Sequence, residues 1–242
     1  MKRTKPVPIT RREFITMVGA TGASISLGAC TDLASRVGGG GASGPINITM
    51  LTKALANPVF EVTRQAAVDT AAKLGDVTVE YVGPTSSDAQ EQVRILDDII
   101  SRGTDAIAVN AVDPAALAPG IDRAIDAGIP TITWDSDTPD SKRLWAVTID
   151  NVACGRLLGE ITVEMAGTSG VYRCLTGEAT AQNLMDRMAG FRSVTDQYPD
   201  IDVVATDLIP GDDMARATGI VEEGITGTPD MVAYAFMGMW PY

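Results

Sequence analysis

From Ile46 to the end of the chain, short runs of β-branched residues alternate with longer stretches of helical periodicity, and this alternation restricts the fold more than any other feature. The first strands are predicted at Ile46 to Leu51, Val77 to Val82, Ala106 to Asn110 and Thr131 to Trp134. Later ones fall at Leu144 to Thr148, Val171 to Leu175, Ile201 to Asp207 and Met231 to Met239. Between them, Asp88 to Ser101 carries Val93, Leu96 and Ile100 on one stripe with Ile95 and Ile99 beside it, and Gly103 stops the helix. Pro114 opens the next, with Leu117, Ile121, Ala124 and Ile125 facing inward, and Gly128 with Pro130 closes it. Repeated βα units of this kind imply parallel sheets with helices on both faces. Four units precede the stretch Ala146 to Asn151, and three units plus a terminal strand follow it. The expected fold is α/β, with two doubly wound parallel-sheet lobes over residues 46–147 and 148–242. In open α/β sheets ligands sit beyond the carboxyl ends of the strands, so two such lobes face each other across a cleft.

The residues before Ile46 read as an address rather than as fold. Lys2, Arg3 and Lys5 supply positive charge, and Arg11-Arg12-Glu13-Phe14-Ile15 matches the twin-arginine export pattern. The apolar run from Ile15 to Leu27 is shorter than the roughly 20 residues needed to span a bilayer. It ends at Leu27-Gly28-Ala29-Cys30, which resembles the lipobox of bacterial lipoproteins, with Cys30 as the lipidated residue. Residues 1–29 are therefore expected to be a signal peptide and residues 30–45, with Gly38 to Gly41 inside, a flexible tether of roughly 20 Å reach to a membrane. The four glycines do not make a phosphate loop, because no Gly-Lys-Ser/Thr follows them.

The chain has no histidine, which removes the commonest general base and the commonest transition-metal ligand together. No enzyme, cofactor or metal centre is expected; a calcium loop at Asp135, Asp137 and Asp140 lacks the required Gly and Glu, with Asp140 and Ala146 standing in those places. With 31 acidic residues against 19 basic ones, nucleic acid is not an expected partner. Without residues 1–29 the balance is 30 against 14, suited to an exported soluble domain. Cys154 in a helix and Cys174 in a strand read as buried free thiols.

The candidate binding residues cluster at predicted strand ends. Lys53, Asn57 and Phe60 follow the first strand; Trp134, Asp135 and Ser136 end the fourth; Gln182 and Asn183 follow the sixth; Trp240 closes the last. Carboxylates accept from neighbouring hydroxyls, amides both donate and accept, and aromatic faces cover the C–H face of a pyranose. The set therefore suits a small polyhydroxylated ligand. Plain structural roles stand beside these: Asn57 as a helix cap before Pro58, Trp134 as core, Asp137 as a turn residue, Asp150 or Asn151 as a cap.

The order of segments over Ile46 to Tyr242 resembles the type I periplasmic sugar-binding proteins, the group that includes ribose- and rhamnose-binding proteins and the autoinducer-2 receptor of ABC importers. Tyr81 to Thr85, Gln92 to Gly103, Leu51-Thr52-Lys53 and above all Thr133 to Thr138 are similar to the autoinducer-2 branch. The resemblance implies that Lys53 touches ligand, that Asn57 and Phe60 supply an amide and a stacking ring, that Asp135 receives sugar hydroxyls, and that Trp240 stacks. Ser136 stands where ribose binders have Arg, and Ala181 where the autoinducer-2 branch has Asp, so neither ligand follows directly. Relatives continue past this point, which implies an incomplete C-terminal lobe. The function implied is capture of a sugar for the permease subunits of an ABC importer, by a protein held to the membrane through Cys30. Two rivals share the fold: a sensor that reports the ligand to a chemoreceptor or kinase, and a repressor of the LacI type, which would begin with a basic helix-turn-helix instead of an export signal.

Overall fold

The computed structural model describes residues 44–209 and 213–238. The expected signal peptide, Cys30, nearly all of the tether and Trp240 lie outside the described residues.

The first half is β1 (Ile46–Leu51), α1 (Val59–Leu74), β2 (Val77–Val82), α2 (Ala89–Arg102), β3 (Ala106–Val109), α3 (Pro114–Asp126), β4 (Thr131–Trp134) and β5 (Ala146–Val147). The second half is α4 (Asn151–Ala166), β6 (Gly170–Thr176), α5 (Gln182–Thr195), β7 (Ile201–Leu208), α6 (Met214–Gly227) and β8 (Met231–Phe236). All named strand pairs are parallel, in one sheet of order β2-β1-β3-β4-β5 and a second of order β7-β6-β8.

Local chemistry sets the helix ends. Asp88 and Asp113 accept from the backbone N–H three residues on, satisfying donors that the first turn leaves unpaired, and Pro114 sits where a missing N–H costs nothing. Gly75 ends α1 in the left-handed conformation at φ +79°, which a Cβ would strain.

In the five-stranded sheet, Leu51, Ile107 and Val109 point to one face and pack under Leu96 and Ile99 of α2 and Leu117 and Ile121 of α3. Met50, Ala108, Ile132 and Trp134 point to the opposite face, toward α1. The period of two along each strand thus feeds both faces, as a doubly wound sheet requires. In the three-stranded sheet, Tyr172, Cys174 and Ala235 pack with Leu184 and Phe191 of α5 and Val163 of α4. The α4–α5 crossing is close because Gly155 and Gly190 meet the partner helix backbone.

Three expectations change. The fifth strand is Ala146–Val147 rather than Leu144 to Thr148, because it pairs only with the end of β4 and leaves the sheet with Thr148 and Ile149 exposed. The last strand ends at Phe236. Cys174 is buried, but Cys154 is exposed, since it lies on the outer side of α4 while Gly155 faces α5; both thiols are free. Burial pushes the Cys174 thiol up to about 12.

Candidate functional site

The parallel order 2-1-3 in each sheet puts a switch point at the carboxyl end of its first strand, where successive connections leave in opposite directions and a gap opens. Lys53 lies just past β1 at the switch point of the first sheet. Asn183 lies in the first turn of α5, just past β6 of the second. The two meet: Lys53 Nζ donates to Asn183 Oδ1 at 3.0 Å. Asn183 Nδ2 in turn donates to Asp135 Oδ2 at 3.2 Å, and Lys53 Nζ lies 3.6 Å from the same carboxylate oxygen. The Lys53 side chain is 4% exposed and that of Asp135 30%. An ammonium this deep needs compensating charge and acceptors, which the carboxylate and the amide supply. Three of the predicted residues, from two separate sheets, therefore form one polar cluster.

Asp135 reaches it through an unusual turn. It is the only non-glycine residue with positive φ among the described residues, at +59°. Ser136 N–H donates to Trp134 O at 2.7 Å, closing a three-residue γ-turn of the rarer positive-φ kind. Backbone held in such a region costs on the order of 1–3 kcal/mol and needs its surroundings to enforce it.

Around this centre several buried polar atoms have no partner among the described residues: both amide atoms of Asn110 and the Ser136 Oγ. Asn110 follows β3, and Ala111 N–H donates to Ser136 O at 3.4 Å, so these groups adjoin the Asp135 turn. Asn110 is not among the candidate residues that the sequence marks. It ends the apolar run Ile107-Ala108-Val109, and the same strand-end rule that selected Asp135 points to it as well. Gln92 is another: wholly buried on α2, its Nε2 donates to Thr52 O (3.0 Å) and Asn110 O (2.7 Å) while its Oε1 accepts from Val112 N–H (2.9 Å). It ties together the chain ends after β1 and β3.

The other predicted residues are placed differently. Asn57 is buried, and its Oδ1 accepts from Val59 N–H at 3.1 Å in the turn entering α1. Phe60 and Trp134 pack edge to face, ring centroids 5.7 Å apart, and both are core residues of the α1 face. Trp134 also lines an apolar cavity of about 520 Å³ beneath α1, which fits the core role the sequence offered beside the ligand contact. Ser136 is fully buried behind the turn. Gln182 bonds along its own helix, Nε2 to Asp186 Oδ1 at 2.8 Å, and is not brought to Lys53 or Asp135. Asp150 caps α4 by accepting from Ala153 N–H, and Asn151 accepts from Arg187 Nε at 2.9 Å. A second cavity, of about 500 Å³, lies beside α5 between Thr176 and Arg192. Neither cavity holds the Lys53–Asp135–Asn183 cluster, whose side chains close directly on one another. Among the described residues no group of three or more His, Cys, Asp or Glu could hold a metal ion, and no helix is long and apolar enough to cross a membrane.

Residues 48–242 match the family model described as a periplasmic binding protein domain. The chain belongs to the periplasmic binding protein family. Among curated periplasmic binding proteins it is similar to the ribose import binding protein RbsB of Bacillus subtilis, 26% identical over 186 residues, covering 77% of this chain and 59% of the relative. It is also similar to the D-apiose import binding protein of Actinobacillus succinogenes, 26% identical over 159 residues, covering 65% of this chain and 51% of the relative. Among solved structures, an ABC transporter solute-binding protein from Burkholderia graminis in complex with D-arabinose matches with TM-score 0.75 and 29% identity, covering 82% of this chain and 68% of that one. The chain thus spans between half and two thirds of the length of these curated relatives. Its periplasmic-binding-protein fold is that of ABC transporter solute-binding proteins.

Proposed function

We propose that this chain is the solute-binding component of an ABC importer and that it captures a neutral sugar or similar polyol between its two sheets, without enzymatic turnover. The observation that carries this reading is the Lys53–Asp135–Asn183 cluster, assembled from the carboxyl ends of two separate parallel sheets. A carboxylate, an ammonium and an amide offer a hydroxyl-rich guest both acceptors and donors, and the paired charges leave the site near neutrality. A sugar entering here takes its hydroxyls to Lys53, Asp135 and Asn183 together, and it reaches the unpaired amide of Asn110. The relatives named as ribose and D-apiose import proteins and the neighbour holding D-arabinose support the same ligand class. Closure of the two halves on the guest shifts the open and closed populations, and the membrane subunits would read the closed form.

The twin-arginine pattern and Cys30 support export and lipid attachment, with the domain held at the outer face of the membrane. Labelled palmitate incorporated by the wild-type chain and not by Cys30→Ala would support the anchor; equal labelling of both would remove it.

Thermal-shift and calorimetric titration against D-ribose, D-arabinose, D-allose and L-rhamnose, with amino acids and nucleosides as controls, tests the ligand class. A true ligand at about 100 times its Kd stabilises the fold by about 2.7 kcal/mol. Stabilisation by amino acids or nucleosides alone would overturn the sugar reading.

A further inference from the structure

Asp135 occupies its place in the cluster only while the γ-turn at φ +59° is held, and no contact of the Asp135 side chain lies within the turn itself. The restraint comes from two residues further on. Asp137 Oδ1 accepts from Thr133 Oγ1 at 2.5 Å and from Thr138 N–H at 2.7 Å. Arg143 then forks onto the same carboxylate, Nε on Oδ1 and Nη2 on Oδ2, the latter at 2.6 Å. Thr133 and Asp137 stand two residues before and two after Asp135, so their bond spans the turn like a tie across the mouth of a loop. Bonds to the segment at β5 pin its outer side: Asp135 N–H donates to Val147 O (3.0 Å), and the Thr148 hydroxyl Oγ1 donates to Asp135 O (2.7 Å).

With four donors on its two oxygens, the Asp137 carboxylate is committed within this loop and is not a ligand contact. A forked guanidinium–carboxylate pair fixes orientation as well as distance, which a single bond does not. Asp137 and Arg143 are 19% and 21% exposed at the side chain, so water competes weakly for the pair. We infer that Asp137 and Arg143 are positioning residues: their ion pair braces the strained turn and thereby aims the Asp135 carboxylate at Lys53, Asn183 and the bound guest. This rests on the cleft being the ligand site. Without the brace the turn relaxes to negative φ and carries the carboxylate out of register, while the sheet beneath it, packed by Thr131 and Thr133, stays formed.

The test uses Arg143→Ala, Arg143→Lys and Asp135→Asn, alone and combined. In the ligand-free protein, amide hydrogen exchange over residues 131–143 should quicken in Arg143→Ala, with exchange in α4 and α5 unchanged. Affinity for D-ribose, D-arabinose, D-allose or L-rhamnose, whichever the wild type binds, should fall by about tenfold or more, equivalent to about 1.4 kcal/mol or more. The melting temperature should fall by only about 2–4 °C, the share of one partly exposed ion pair in a domain of this size. Arg143→Lys, which keeps the charge without the fork, should recover only part of the affinity. The combined Arg143→Ala and Asp135→Asn variant should bind no more weakly than Asp135→Asn alone, because both changes act through one carboxylate. Unchanged exchange in Arg143→Ala, or effects of the two substitutions that simply add, would overturn the brace. If the wild type binds none of the four sugars of the thermal-shift panel, the ligand reading fails and the exchange result alone decides whether the brace exists.

Discussion

Lys53 and Asn183 are separated by 130 positions in the chain, yet the ammonium of one donates to the amide oxygen of the other at 3.0 Å, joining the loop after β1 to the first turn of α5. A hydrogen bond to a charged group contributes about 1.5–3 kcal/mol, so this contact weighs in the balance between apart and closed arrangements of the two sheets. Asn183→Ala is expected to shift the ligand-free protein toward the open form, increasing its radius of gyration in solution scattering. It is also expected to weaken sugar binding by about tenfold or more. An unchanged scattering profile would show that the contact does not hold the two sheets together.

Gln92 is expected to matter for stability. Replacing it with Leu strips the Thr52 and Asn110 carbonyls and the Val112 N–H of one buried partner. Each unsatisfied buried group costs about 1–3 kcal/mol, so urea unfolding of Gln92→Leu should show a loss of about 2 kcal/mol or more. Because the same residue spaces the chain ends that carry Lys53 and Asn110, ligand affinity should fall with it.

Gly190→Ala tests the helix crossing beneath Asn183. A methyl group there overlaps the Val152 carbonyl oxygen on α4, and one at Gly155 overlaps the Arg187 carbonyl on α5. Backbone against backbone has no rotamer by which to yield, so a destabilisation of about 1–3 kcal/mol or more is expected in chemical denaturation. Gly227→Ala meets nothing within 4 Å and serves as the control.

The Asp137–Arg143 pair also predicts an acid limit. Burial works to raise the Asp137 carboxyl, but the bonds from Arg143, Thr133 and the Thr138 N–H outweigh it, and the group sits below its ordinary value of 3.8. A carboxyl lowered in the folded state contributes stability that is full above its unfolded value and is lost as pH falls through the folded one. The stability gap between wild type and Asp137→Asn, followed by urea unfolding across a pH series, should therefore be widest above about pH 4. It should narrow steadily below that. A gap independent of pH would mean that the carboxylate charge is not what the fold uses.

Much of the site could be read one strand at a time. Lys53, Asp135 and Asn183 each follow a predicted strand, and strand ends in parallel sheets face the same way. Asn110 obeys the same rule, but nothing in the run Ile107 to Asn110 marks its amide as different from any polar residue that terminates a strand. Gln182 and Asn183 are neighbours with similar side chains, and only the helical rotation of about 100° per residue, fixed once α5 docks on α4, sends one toward Lys53 and the other along its own helix. The pleat turns Trp134 toward α1 and Phe60, while the residue after it leaves the strand through the γ-turn, and neither direction shows in the run of residues alone.

The order of strands and helices, the parallel α/β class and the membership of polar groups in the strand-end set were all determined by the sequence, because periodicity, caps and turn residues act over a few positions at a time. What only the tertiary structure decided is which of those groups meet. The contacts among Lys53, Asp135 and Asn183, the turn at Asp135 and the grip of Arg143 on Asp137 depend on how two sheets and their loops pack. That packing is set by many weak contacts between residues far apart in the chain, which leave no local pattern to read.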